Sequence, residues 1–253
     1  MFMPTNKLTV LITRPENEGQ VLAKKLKQLG VATYCQPMFD YQSNQSLSML
    51  QSVLTHVKQP NLIFISVAAV TYANSLHALA LWPKGKVFAV GTATAKALKA
   101  LNIETISPKI QTSEGLLALK EMQNINNQEF IIIRGNGGRE HLANSLTTKG
   151  SKVYYFESYQ RMWRQLPTTI EQNWRKLKIN CIVVTSDAIL QSIVQLLNLS
   201  DGYWQTTCYW LVASERIAQT AKAIGLNHVI NTNGANDNAI SDAIFSDVII
   251  NME

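Results

Sequence analysis

Short apolar runs and longer stretches of helical period alternate along this chain. LTVLIT (8–13), 31–35, LIFIS (62–66), VFAV (87–90), FIIIR (130–134), 153–156, CIVVT (181–185) and YWLVA (209–213) are short and apolar, and read as buried strands. Between them, apolar residues recur three and four positions apart. Leu22, Leu26 and Leu29 share one face of a helix that Gly30 closes. Ile240, Ile244 and Val248 mark a last helix over about 238–248. Strands that alternate with helices predict an α/β fold, with parallel sheets flanked by helices on both faces.

The pattern is written twice. Setting residue n against n+120 aligns Arg14 with Arg134, Leu22 with Leu142, Ala23 with Ala143, Leu26 with Leu146, Gly30 with Gly150, Tyr34 with Tyr154 and Ser66 with Ser186. After a three-residue slip, Ala95 meets Ala218, Leu101 meets Ile224 and Glu114 meets Asp237. This is an internal duplication of one α/β unit. Two similar lobes are expected to make a cleft, and its lining is the first place to look for function. QPMFDYQ (36–42) and ESYQR (157–161) fall at equivalent points of the repeat and read as connectors. A chain that crosses at both interleaves the lobes: residues 1–36 with about 162–253 form a discontinuous first lobe, about 42–157 the second, and 37–41 and 158–161 the connectors. Periodicity alone also admits two sequential lobes split near 125, with NINNQ (124–128) as the linker.

The 253 residues suffice for two domains of ordinary size. No apolar run reaches the roughly 18–20 residues that span a bilayer. MFMPTNKLTV lacks the charged-then-apolar order of a secretory leader, so a cytoplasmic protein is expected. Cys35, Cys181 and Cys208 show no CxxC spacing and read as reduced thiols. The histidines stand far apart in sequence and near no cysteine or acidic cluster, which predicts no metal site. A net charge of +6 suggests an anionic partner: nucleic acid, a membrane surface or an acidic small molecule. The basic residues are spread out, and Trp82, Trp163, Trp174, Trp204 and Trp210 are scattered, so no nucleic-acid face with stacking aromatics is expected.

IIIRGNGGRE (131–140) is the sharpest local signal: a strand enters a glycine-rich loop that leads into a helix. Gly135, Gly137 and Gly138 let the backbone approach a ligand closely. The helix turn that follows offers free N–H groups and a positive dipole end. Arg134 and Arg139 add bidentate donors for carboxylate or phosphate. The spacing is neither GxGxxG nor GxxxxGK[ST], which gives a nucleotide site little support. Arg14, in TRP (13–15), is the repeat partner of Arg134, and Pro15 suits a first helical turn.

Small hydroxyls recur at strand ends: Ser66, Thr92 and Thr94 after Gly91, Thr185, Ser186 and Ser214. Open parallel sheets bind ligands outside the carboxyl ends of their strands. Each hydroxyl there reads more often as a helix N-cap than as a ligand contact, and Ser113 in SEGLL (113–117) reads first as an N-cap; together they suggest a site rich in donors. There is no GxSxG, no cysteine with a neighbouring histidine in sequence and no close carboxylate pair. Chemistry in such a site needs only a proton donor, charge stabilisation and orientation. Tyr159 is the candidate donor, placed in a connector rather than a strand core; an unperturbed phenol is protonated at neutral pH.

LITRP (11–15), LIFISVAAV (62–70), AVGTATAKAL (89–98), TSEGLL (112–117), IIIRGNGGRE (131–140), ESYQR (157–161), CIVVTS (181–186), LVASERIAQTAKAIG (211–225) and NGANDNAI (233–240), in this order, resemble the uroporphyrinogen-III synthase family of the tetrapyrrole pathway. The resemblance covers nearly the whole chain, and RGNGGRE, SYQR, VTS and SERIA in series are its specific part. It implies two flavodoxin-like lobes joined by a two-stranded connector, one lobe discontinuous, which favours the interleaved arrangement. It implies closure of the linear tetrapyrrole hydroxymethylbilane with inversion of the last pyrrole, ring D, and loss of water, without metal or organic cofactor. That substrate carries eight carboxylates, which gives the positive charge a purpose.

By the same resemblance, Tyr159 corresponds to the tyrosine that assists water loss. Ser66, Thr94, Ser186 and Ser214 correspond to positions that hold substrate carboxylates, largely through backbone N–H groups. Arg14, Gly91, Ser113, Arg134, Gly135, Gly138, Arg139 and Thr185 complete the expected substrate-binding set, with loop bracing as the other role open to the three arginines. The chain departs from the family at Ile65, where threonine often precedes the strand-end serine, and at Ala68 and Ala69, so one hydroxyl is lost. The expected partners are the substrate and, transiently, the enzyme that makes it; no nucleic acid or membrane is expected, and the protein is expected to be a monomer. The competing class is a two-lobed small-anion binding protein without catalysis.

Overall fold

The computed structural model describes residues 8–44, 47–137 and 140–248. In chain order its elements are β1 (Thr9–Ile12), α1 (Glu16–Gln28), β2 (Ala32–Cys35), β3 (Phe39–Ser43), α2 (Leu47–Thr55), β4 (Asn61–Phe64), α3 (Val67–Leu76), β5 (Val87–Ala89), α4 (Thr92–Lys99), α5 (Ser113–Leu117), β6 (Glu129–Gly135), α6 (His141–Thr148), β7 (Lys152–Trp163), α7 (Ile170–Lys176), β8 (Cys181–Val184), α8 (Asp187–Val194), α9 (Tyr203–Thr206), β9 (Tyr209–Val212), α10 (Glu215–Ala223), β10 (His228–Asn231) and α11 (Asp237–Ala243). A wider π turn, Ile244–Val248, continues α11, so the last helix expected over about 238–248 changes pitch at Ile244.

Two compact units result: Met1–Asp40 with Trp163–Glu253, and Tyr41–Met162. The first holds a five-stranded sheet ordered β10-β9-β8-β1-β2, with every pair parallel. Counted within that unit, the order is the flavodoxin-like 2-1-3-4-5. The second sheet runs β3-β7-β6-β4-β5, and its β7-β6-β4-β5 pairs are parallel. Ile106 forms an isolated parallel bridge to Phe88 on β5, where β10 stands in the other unit. β6, β7, β4 and β5 thus occupy the places of β1, β2, β8 and β9.

The duplication extends to the helix ends. Gly30 (φ 83°) and Gly150 (φ 85°) both take the left-handed conformation that glycine adopts without a Cβ penalty. Val31 N–H reaches Leu26 O, and Ser151 N–H reaches Leu146 O, each at 3.0–3.1 Å. Strand β6 shows why these strands carry no polar alternation. Phe130 and Ile132 pack with Leu116, Met122, Leu142 and Leu146, whereas Ile131 and Ile133 pack with Val70, Leu98 and Phe156. Both faces are covered, so the run is apolar throughout. In the first unit Val10 and Ile12 likewise meet Leu22, Leu26, Ile240 and Ile244.

The chain leaves the first unit within β3 and returns within β7, and these two strands are neighbours in one sheet. At the first unit's end of the pair, Arg164 N–H donates to Met38 O at 3.0 Å, and its guanidinium grips both oxygens of Asp40 at 2.7–2.8 Å. The strand expected over 153–156 runs on to Trp163. Its extra length follows from partners for its backbone, such as Asn136 N–H on Tyr159 O at 2.9 Å and Arg161 N–H on the Asn136 side chain at 2.9 Å.

Candidate functional site

In the flavodoxin-like arrangement the strand order reverses between β1 and β8 in the first unit, and between β6 and β4 in the second; the carboxyl ends there are the places for a ligand. At the end of β4, Ser66 sits in extended conformation (φ −158°, ψ 162°) and caps α3, its Oγ accepting from Ala69 N–H at 3.1 Å. Across β6 stands Tyr159. Its hydroxyl lies 3.2 Å from Ser66 Oγ, long for an O–H···O bond. The ring is 2 % exposed and packs edge-on against Tyr41 at 5.0 Å and tilted on Tyr72 at 5.9 Å.

Tyr159 is therefore part of strand β7 and of the second unit's core, contrary to the expectation of a connector outside a strand core. The cause is a register shift. Arg134 pairs with Glu157, but the next residue, Gly135, pairs with Tyr159, leaving Ser158 as the extra residue of a bulge. Ser158, 1 % exposed, fixes the bulge by donating towards Ala69 O at 3.3 Å and Arg134 O at 3.4 Å.

Arg134 is occupied by the chain itself. It is 5 % exposed, donates to Glu140 at 3.1 Å, lies 3.5 Å from Glu157, and holds Gly135 O at 3.3 Å. Its guanidinium stacks 4.3 Å above the Tyr155 ring. Glu157 also accepts from Gly137 N–H at 3.3 Å. Tyr155 and Arg134 hold the Glu140 carboxyl below the usual carboxylate range. Burial, with the Glu140 carboxylate beside it, pushes the Tyr155 phenol up to about 12. This expected substrate arginine braces the glycine-rich loop. Gly138 and Arg139, expected beside it, lie outside the described residues.

Arg14 repeats the outcome in the first unit. Its guanidinium lies 2.5 Å from Asp237 Oδ1, at the start of α11. Ser186 (φ −154°, ψ 157°) and Ser214 (φ −161°, ψ 159°) repeat the Ser66 cap on α8 and α10, accepting from Ile189 and Ile217 N–H. Thr185 is half-buried beside Ser186. Asp187 and Arg216, each in the first turn after those serines, form an ion pair.

Gly91 is the N-cap residue of α4, and Gln111 accepts from Thr92 N–H at 3.0 Å there. Thr94, expected as a presented strand-end hydroxyl, is 4 % exposed: one turn into α4 the side chain rotates inward. Ser113, expected as an N-cap, is the first residue of α5, and Thr112 caps that helix, accepting from Gly115 N–H at 3.1 Å. Asp237, Glu140, Tyr155, Glu157, Ser158 and Gln111 are not among the site residues expected from the sequence. The available signals are the acidic Glu114–Asp237 match in the repeat and the motifs RGNGGRE and ESYQR, which contain Glu140, Glu157 and Ser158. Among the described residues, no group of three or more His, Cys, Asp or Glu could hold a metal ion, and no helix is long and apolar enough to cross a membrane.

A family model described as uroporphyrinogen-III synthase HemD matches residues 20–240 of this chain. Uroporphyrinogen-III synthase of Escherichia coli K12 is 33% identical over 245 residues, covering 94% of this chain and 100% of that protein. The Salmonella typhimurium LT2 enzyme of the same name is 32% identical over 248 residues, with the same coverage. Among solved structures, uroporphyrinogen-III synthetase from Helicobacter pylori 26695 is similar with a TM-score of 0.62 at 13% identity, over 94% of this chain and 99% of that one. A mutant uroporphyrinogen III synthase from the extremely thermophilic bacterium Thermus thermophilus gives 0.63 at 13% identity, over 93% and 96%. At such identity the structural likeness bears on the fold alone.

Proposed function

We propose, from the premise that this chain belongs to the uroporphyrinogen-III synthase family, that it closes hydroxymethylbilane to uroporphyrinogen III, inverting ring D and releasing water. The observation that carries the chemistry is the hydroxyl pair of Tyr159 and Ser66 at the carboxyl end of the second sheet, 3.2 Å apart. Ser66 Oγ already accepts from Ala69 N–H. Its own proton is therefore free to point at Tyr159 Oη, which leaves the phenolic proton for the substrate.

In this reading the substrate's hydroxymethyl oxygen takes that proton and departs as water. The pyrrole nitrogen supplies the electron pair and an electrophilic azafulvene remains. The substituted carbon of ring D attacks it to give a spiro intermediate. One bond of the spiro centre then breaks, and the ring recloses with D reversed. The proton lost at the final rearomatisation restores the phenol. Spontaneous closure gives the unreversed isomer, so the protein's task is to hold a conformation more than to supply strong acid or base.

The carboxylates are assigned to the first-turn N–H groups after Ser66, Ser186 and Ser214, whose nearly identical extended backbones support the same role three times. Gly91 and Thr185 belong with them, and Thr94 and Ser113 take part through backbone N–H only. Arg14 and Arg134, bound to Asp237 and Glu140, act as braces. The same reading sets the protein in the cytoplasm with a small-molecule substrate. The test is a coupled isomer assay: generate hydroxymethylbilane in situ, add the protein, oxidise the products and separate the type I and type III uroporphyrins. Predominantly type III is expected. Only type I from a folded sample would remove the catalytic reading and leave anion binding in its place.

A further inference from the structure

We propose that Gly135 is a positioning residue for this reaction, because its missing side chain is the seat of the Tyr159 ring. The inference rests on the reading of Tyr159 as the proton donor. A Cβ built on Gly135 would stand 2.4 Å from Tyr159 Cε2, 2.5 Å from Cζ and 3.0 Å from Cδ2. Carbon atoms pack at about 3.5–4.0 Å, so the ring would have to retreat by about 1 Å or more. Cζ carries the hydroxyl, and the hydroxyl would leave with it.

Backbone conformation is not the reason for glycine at this position. Gly135 is absent from the positive-φ glycines, so an L-residue could adopt its backbone. Nor is the close approach an accident of a loose chain. The bulge at Ser158 sets Tyr159 opposite Gly135, and Asn136 N–H on Tyr159 O at 2.9 Å locks the pairing beyond it. Tyr41 and Tyr72 flank the ring, so it has little room to yield.

The other copy of the repeat is an internal comparison. The n+120 register sets Pro15 on Gly135 and Phe39 on Tyr159. The first unit therefore lacks both the glycine and the hydroxyl, while it keeps the serine caps Ser186 and Ser214. Glycine and phenol occur together in one copy and are absent together from the other, as expected if the first serves the second.

The test compares Gly135→Ala, Tyr159→Phe and the double variant in steady-state kinetics of the isomer assay, with a thermal melt of each. In the wild-type background Gly135→Ala is expected to lower kcat towards the level of Tyr159→Phe, up to on the order of 10²-fold for a misplacement of about 1 Å, with KM little changed. In the Tyr159→Phe background it should change kcat less than about twofold, because no hydroxyl is left to misplace. Its effect on the melting temperature should be the same in both backgrounds. An equal kcat loss in both backgrounds, or none in either, overturns the proposal while Tyr159→Phe remains impaired. Wild-type activity of Tyr159→Phe overturns the donor reading itself, and this inference with it. Should Gly135→Ala not fold, Gly135→Ala/Tyr159→Leu is compared with Tyr159→Leu: recovered folding puts the clash on this ring, and failure to recover overturns the proposal.

Discussion

Tyr159 reaches Ser66 by its hydroxyl alone, while its ring is held by Gly135, Tyr41 and Tyr72. Tyr159→Phe therefore removes one long hydrogen bond and leaves the packing and the Ser66 cap in place, at a stability cost of about 1 kcal/mol or less. The expected kinetic result is a kcat lowered by about 10–10²-fold, with type III still the main product once enzyme is added to match turnover. Orientation is the work of other groups, so the isomer ratio at matched turnover is the reading that separates acid from template. How far this site was legible in the sequence differs from residue to residue. Ser66, Ser186 and Ser214 follow short apolar runs directly, and a hydroxyl there has one obvious local use, which it takes. Thr112 and Ser113 are adjacent hydroxyls, and only the extended backbone of Thr112 decides between them. The fate of Arg14 lay in Asp237, 223 positions away. No local pattern encodes a partner brought in by tertiary packing.

At the scale of elements, the informative piece is the turn from β6 to α6. Arginine beside glycines suggested a ligand site, yet Arg134 is satisfied by Glu140, Glu157 and the Tyr155 ring. This cluster predicts a pH dependence with two limbs. Glu140 is held below its ordinary value in the folded chain, so its contribution is present above the unfolded carboxylate value and is lost as pH falls through the depressed one. Tyr155 is held at about 12, so its contribution is present below the unfolded phenol value of about 10 and is lost as pH rises from there through about 12. Melting temperatures measured across pH should decline at both ends. Glu140→Gln should flatten the acidic decline and Tyr155→Phe the alkaline one; unchanged limbs in both variants would show that the cluster does not contribute. The strand that follows was legible only in its first half, because the apolar run stops where the bulge at Ser158 begins. Polar residues continue as strand there since their backbones find partners that the side-chain pattern does not announce.

For the whole molecule, the duplication predicted two units and a parallel α/β build, and the n+120 register meets its structural counterparts in strand order and helix caps. The unit Tyr41–Met162 is a single stretch of chain with apolar clusters on both faces of its sheet. Expressed alone, residues 41–162 should give a cooperative thermal transition by circular dichroism. A chain in which a short turn replaces them should keep the first unit's fold, since Met38 and Arg164 are already hydrogen-bonded there. Neither piece should yield type III product. A broad, non-cooperative melt of 41–162 would mean that this unit depends on the rest of the chain.

Strand β1, an inner strand of the first sheet, bears on the order in which the protein is made. β1 lies between β2 and β8, and the Thr13 hydroxyl donates a hydrogen bond to Val183 O across 170 positions of sequence. On a ribosome, β1, α1 and β2 emerge before β8 and find one neighbour of β1 missing. At about 5–20 residues per second, β8 follows after roughly ten to thirty seconds. In that interval the whole second unit is synthesised and can fold, while an apolar strand edge of the first waits uncovered. Residues 8–36 are thus made before the second unit and completed after it, and pulse-labelled nascent chains should show residues 41–162 resisting protease before residues 8–36 do.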